Sequence, residues 1–154
     1  MPVYSETAGG RGGNSFSDAM LLLSLPSHCD MRVEEVRVRS GRRIDQLRLK
    51  IGNGMSTYWT DIHGGNGGSG PYSFLVPQGE NIVTVIMRSG SRIDSLQFVT
   101  DRGTVSQQFG GNGGSLRTYH LPGKLVGFFG KSGSEIDQLG FISLKAGRPG
   151  PVVG

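Results

Sequence analysis

The chain has 154 residues, 27 of them glycine, with 35% hydrophobic and 18% charged residues and a net charge of +4. Glycine at more than twice its usual share of about 7% excludes a helical bundle, because each helical glycine costs about 1 kcal/mol. The glycines follow no three-residue period, which excludes collagen, and no run approaches the roughly 20 apolar residues of a membrane helix; the length suits one domain.

Met1 to Glu6 lacks the basic start and apolar stretch of a signal peptide, and Leu21-Leu22-Leu23 is too short to be one. The chain is therefore expected to be cytosolic, or secreted with its signal removed. Gly9-Gly10-Arg11-Gly12-Gly13 follows and reads as a loop. Phe16 to Leu25, ahead of Pro26, reads as a strand. Asp18 to Leu25 is the best helix candidate in the chain and is still assigned to a strand. Cys29 is the only cysteine, so there is no internal disulfide. It is a small buried hydrophobe, an inert surface thiol, or a link between two chains outside the cell.

Between Met31 and Ile51 lie seven basic and three acidic residues, so this segment carries the whole net charge. Arg37 and Arg39 alternate with Val36 and Val38, and Arg48 and Lys50 with Leu47, Leu49 and Ile51. Two-residue alternation marks half-buried strands with a solvated face. Further strands are expected over Tyr72 to Val76, Ile82 to Arg88, Ser95 to Phe98, Arg117 to Leu121 and Leu125 to Phe129.

Two motifs each occur three times, in alternation. One is the glycine run, at Gly9 to Gly13, Gly64 to Gly68 and Gly110 to Gly114. The other is G-x-x-x-D, at Gly41 to Asp45, Gly90 to Asp94 and Gly133 to Asp137. After each Asp come Gln46-Leu47-Arg48-Leu49, Ser95-Leu96-Gln97-Phe98 and Gln138-Leu139-Gly140-Phe141, a strand with one apolar face. Each unit of roughly 45 residues is expected to form four short antiparallel strands. Each G-x-x-x-D is read as a turn between two of them, its glycine supplying a positive φ and its Asp capping turn amides. One such sheet cannot cover its own apolar face, whereas three packed about a threefold axis can. The fold class is all-β.

These motifs resemble the jacalin-related lectins over nearly the whole chain, from about Val3 to Leu144. The most specific parts are the N-terminal glycine run and Gly123-Lys124-Leu125-Val126-Gly127-Phe128-Phe129-Gly130 with Gly133 to Asp137. The latter is similar to mannose-binding members, while Leu96 to Gly103 is similar to animal members. The resemblance implies a type I β-prism of three four-stranded antiparallel sheets with pseudo-threefold symmetry. It implies a lectin domain over residues 1–146 and a flexible tail over 147–154. Most plant members keep both motifs in one unit. Here all three units keep both, as in a three-site member from red algae. The galactose-preferring branch uses a glycine freed as a chain start. Here residues precede the first glycine run, which implies the mannose/glucose branch.

An ionised carboxylate accepts two hydroxyl protons through charge-assisted bonds, turn amides donate to sugar oxygens, and glycine lets the main chain approach the ring. The resemblance implies three metal-independent sites without a cofactor. Site one is Gly13 with Ser134, Glu135 and Asp137; site two is Gly68 with Arg42, Arg43 and Asp45; site three is Gly114 with Ser91, Arg92 and Asp94. Pairing within each unit would change the partners but not the three Asp. Glu135 is expected to make site one the least favourable for anionic sugars. Tyr58, Trp59, Tyr72 and Tyr119 are either core or platforms for a second sugar ring.

The partners implied are glycans and glycoproteins containing mannose or glucose, captured or agglutinated through several sites. No membrane insertion and no nucleic acid are expected. Family habit suggests a homodimer, by prism packing, strand exchange or Cys29 pairing. No enzyme is expected, because a glycosidase needs paired carboxylates and each site holds one Asp; His28, His63 and His120 sit in unrelated contexts. The rival reading is a basic structural protein that binds polyanions or mineral surfaces.

Overall fold

A computed structural model of the chain describes residues 2–25 and 31–145. Cys29, His28 and the tail lie outside the described residues, and so do the expectations attached to them.

The alternation in the basic segment produces the strands Met31–Ser40 and Ile44–Asn53, which pair antiparallel. Val36, Val38, Leu47 and Leu49 are fully buried, while Arg37, Arg39, Arg48 and Lys50 take the other face. Arg37 lies opposite Arg48, a repulsive register on its own. Trp59 relieves it: both guanidinium carbons stand over its ring, at 4.4 and 4.6 Å from the centroid. Glu35 adds an ion pair to Arg37 at 3.0 Å.

This hairpin is the centre of one sheet, whose path runs Ser56–Trp59, Ile44–Asn53, Met31–Ser40, Ser69–Leu75. The second sheet runs Phe109–Gly110, Ile93–Thr100, Ile82–Ser89, Ser115–His120. The third runs Pro2–Tyr4, Ile136–Leu144, Lys124–Ser132, Asn14–Ser17, so the first strands of the chain complete the last sheet. Each path has four strands. The two-residue strands His63–Gly64 and Ala8–Gly9 add a fifth to the first and third sheets. The three apolar faces meet in one core around Phe98, Phe109, Phe128 and Phe141. Adjacent rings in this set stand 6.0–6.4 Å apart. Each such buried side chain contributes about 1.5–3 kcal/mol.

Two expectations are corrected. Ala19–Ser24 is an α-helix, not a strand. Its sequence, Ala-Met-Leu-Leu-Leu-Ser, is rich in strong helix formers and has no β-branched residue, so local propensity prevails. The helix rests on Gly127, where a Cβ would come within 3.2 Å of Leu22 Cδ1. The second correction concerns the turn glycines. Gly41, Gly90 and Gly133 do not have positive φ; the left-handed residues are the first and last glycines of each glycine run, at φ between 67° and 111°.

Candidate functional site

Each G-x-x-x-D turn ends in a β-bulge at its Asp. Ser40 pairs with Ile44 and Arg39 with Gln46, which leaves Asp45 outside the register. Asp94 is passed over between Ile93 and Ser95, and Asp137 between Ile136 and Gln138, in the same way. A bulge re-aims a side chain and frees its main chain. Each freed carbonyl accepts from the second glycine of a run: Gly10 N–H to Asp137 O at 2.7 Å, Gly65 to Asp45 and Gly111 to Asp94 at 2.9 Å.

The run then folds over the carboxylate. A Cβ on Gly13 would lie 2.7 Å from Asp137 Oδ2, one on Gly68 2.5 Å from Asp45 Oδ2, and one on Gly114 2.6 Å from Asp94 Oδ2. The preceding glycines, Gly12, Gly67 and Gly113, face the other oxygen, Oδ1, at 2.9–3.2 Å. Only glycine fits at the last place, which also has positive φ. The pairing is therefore Gly13 with Asp137, Gly68 with Asp45 and Gly114 with Asp94. Gly41, Gly90 and Gly133 form the far lip of each corner, 3.7–3.9 Å from the facing Cα when given a Cβ. The three carboxylates are half-buried, and Arg42, Ser91, Ser134 and the last glycines are exposed.

Glutamine side chains hold each loop from behind, the buried Gln46, the half-buried Gln138 and the exposed Gln108. Gln138 Nε2 donates to Gly10 O at 3.1 Å, and Gln46 Nε2 to Gly65 O at 3.0 Å. Site three has Ser95 after its Asp, and Gln108, from before its glycine run, donates to Gly111 O at 3.1 Å instead. Arg39 reaches the carbonyls of Gly67 and Gly70, and Arg88 that of Gly114. The bulges, Gln108 and the arginine braces escape the sequence reading. The repeat of Gln46 and Gln138 after their Asp is the available signal for the glutamine bonds to the loops.

The three corners share one end of the prism. The second glycine of each run packs on the turn of the next site: Gly10 on Ser91, Gly65 on Ser134, Gly111 on Arg42. The side chains of Arg43, Arg92 and Glu135 meet between them. Glu135 Oε1 binds Arg92 Nη1 at 2.9 Å and Oε2 binds Arg43 Nε at 3.1 Å.

Burial, and secondly the Glu135 charge, raise the pKa of Asp137, with Arg92 opposing. Burial and then Glu135 also raise that of Asp45, against Arg43, Arg39 and the Gly41 amide. The negative charge of Glu135 thus acts on two sites and is held by two arginines.

The basic segment is largely engaged within the molecule. Arg32 donates to Pro77 O at 3.2 Å and Arg48 to Thr60 O at 3.2 Å, while Arg39 and Arg43 hold the corners. Of the aromatics, Tyr119 is buried edge-on against Phe141 and Tyr58 packs on the core. Trp59 is occupied by its arginines. Tyr72, 45% exposed, lines an open groove of about 400 Å³ with Ser40, Gly41 and Ser69 beside site two. Among the described residues no group of three or more His, Cys, Asp or Glu could hold a metal ion.

The model of the jacalin-like lectin domain matches residues 5–142. Malaysian banana lectin is similar in structure, with TM-score 0.76 and 25% identity over 94% of this chain and 99% of that one. A mannose-binding jacalin-related lectin from Ananas comosus has TM-score 0.75 and 23% identity over 92% and 96%. Artocarpin, solved with mannotriose, has TM-score 0.77 and 19% identity over 92% and 97%. Myrosinase-binding protein 2 of Arabidopsis thaliana is 32% identical over 89% of this chain and 20% of its own length. A Schizosaccharomyces pombe protein named as a zinc metalloproteinase is 31% identical over 91% of this chain and 22% of its own length. The chain thus spans about a fifth of those two relatives, and it contains no His-Glu-x-x-His run. By sequence and by fold, this chain belongs to the jacalin-like lectin domain family.

Proposed function

We propose that this domain is a metal-independent lectin for mannose- and glucose-type sugars, with three sites at one end of the prism. The observation that carries the reading is the threefold repetition of one corner: a half-buried carboxylate on a β-bulge, framed by two glycines and set beside an exposed turn. Its carboxylate accepts from two neighbouring hydroxyls, and the amides of residues 42–43, 91–92 and 134–135 donate to ring and hydroxyl oxygens. The fold shared with one lectin described as mannose-binding and another solved with mannotriose supports the same sugar class.

Five or so hydrogen bonds at a shallow corner give roughly millimolar affinity for a monosaccharide. A glycan that reaches two corners gains on the order of 10²–10⁴ by avidity. The work is glycan capture or agglutination. Titration with methyl α-mannoside should give three sites per chain, and Asp45→Ala, Asp94→Ala and Asp137→Ala should each remove one. Binding that survives all three substitutions together overturns the reading. A salt series discriminates the polyanion alternative: affinity for a neutral sugar stays level from low to high salt, while polyanion binding falls steeply.

A further inference from the structure

The third residue of each G-x-x-x-D turn points to the axis between the sites. A true threefold repeat would place three like charges there. The chain instead has Arg43, Arg92 and Glu135, and each carboxylate oxygen of Glu135 takes one arginine. The glutamate side chain is 15% exposed, against 38% and 40% for the arginines. Each arginine is therefore anchored at its charged end by a residue from another turn.

The turns themselves are short. One backbone bond closes each, from Gly41 N–H to Arg43 O, Gly90 to Arg92 and Gly133 to Glu135, all at 3.0 Å. The next residue, Ile44, Ile93 or Ile136, is fully buried, and the one after is the site Asp. Fixing the Arg43 side chain therefore fixes the turn whose amides the sugar-binding reading assigns to site two, and fixing Arg92 does the same for site three. We propose that Glu135 is a positioning residue for sites two and three, acting through Arg43 and Arg92, so that the turn of one site sets the geometry of the other two. This rests on the sugar-binding reading above.

The test introduces Glu135→Gln into three single-site backgrounds. Asp94→Ala with Asp137→Ala leaves site two, Asp45→Ala with Asp137→Ala leaves site three, and Asp45→Ala with Asp94→Ala leaves site one. Methyl α-mannoside affinity should fall about three- to tenfold at sites two and three, within the coupling range of a shared charge network, and least at site one. Combining Glu135→Gln with Arg92→Gln should weaken site three no more than either change alone. Amide hydrogen exchange gives a readout that needs no sugar: Gly41 and Gly90 should exchange faster in Glu135→Gln than in the parent, and Gly133 should change less. Equal losses at all three sites, additive losses in the double variant, or unchanged exchange at Gly41 and Gly90 overturns the proposal. If the parent binds no mannoside, the lectin reading falls, and the exchange rates alone decide whether Glu135 positions the two turns.

Discussion

Substituting the two lips of one corner separates what glycine does for the fold from what it does for the ligand. At Gly114 a Cβ would lie 2.5 Å from Ser89 O and 2.6 Å from both Asp94 Oδ2 and Ser89 C, at a φ of 71°. A left-handed non-glycine residue costs about 1–2 kcal/mol, and crowding against main chain adds about 1–3 kcal/mol. Gly114→Ala should therefore lose about 2–5 kcal/mol, a large part of the 5–15 kcal/mol that a typical domain has. The carboxylate it displaces belongs to site three. At Gly90 the nearest atom to a Cβ is Gly114 Cα at 3.9 Å, an ordinary contact, and φ is not positive. Gly90→Ala should cost less than about 0.5 kcal/mol, as a surface change does, while its methyl group narrows the corner that the sugar enters. Urea unfolding measures the first quantity and mannoside titration the second. Gly114→Ala should lower the unfolding midpoint and empty site three. Gly90→Ala should keep the midpoint and weaken site three alone. A Gly114→Ala protein of parental stability with three intact sites refutes the geometry.

Site one alone, in the Asp45→Ala, Asp94→Ala background, should lose mannoside as pH falls through a carboxylate pKa that burial and Glu135 hold above 3.8. Glu135→Gln removes the like charge, so the acid limb of the affinity profile should move to lower pH; an unmoved limb contradicts the assignment. Because folding raises the Asp137 pKa, the charged form is disfavoured in the folded state, at a cost that grows as pH rises from 3.8 through the folded value. Asp137→Asn should therefore abolish binding at site one yet match or exceed parental stability at pH 7, with the difference vanishing below pH 3.8 in thermal melts. His63 Nε2 and Asp18 Oδ1 form a buried pair at 2.6 Å, Asp18 Oδ2 accepts from Phe128 N–H at 2.8 Å, and Phe16 stacks on the imidazole. Removing one partner strands the other, so His63→Ala should cost about 3–5 kcal/mol in chemical denaturation; a loss under about 1 kcal/mol contradicts the pair's role.

Much of the fold is legible along the chain because its causes are local. Alternation at Val36 to Arg39 and Leu47 to Ile51 requires strands with one buried face. The three alternating motifs require three like units. The carboxylates at 45, 94 and 137 stand out because an acidic residue recurs where the flanking pattern is apolar. The helix at Ala19–Ser24 is not legible along the chain, because three consecutive leucines fit a buried strand as well as a helix. The conformation of the turn glycines is not legible either, because G-x-x-x-D fixes a reversal but not which residue turns left-handed. That role falls to the glycine runs, where main chain crosses main chain.

The sequence by itself determined the strands, the threefold repeat and the three acidic corners, since each depends on residues within a few positions of one another. Only the tertiary structure decided that each Asp sits on a bulge, that Gln108 replaces the missing glutamine of site three, and that Glu135 joins Arg43 and Arg92 on the axis. The ion pairs join Glu135 to turns far from it in sequence, the carbonyl freed by the Asp137 bulge meets Gly10 from the other end of the chain, and Gln108, though near Gly111 in sequence, has a role only once that loop is folded over Asp94. They arise when three sheets close around one core and bring distant turns to the same end, and no local pattern encodes that closure.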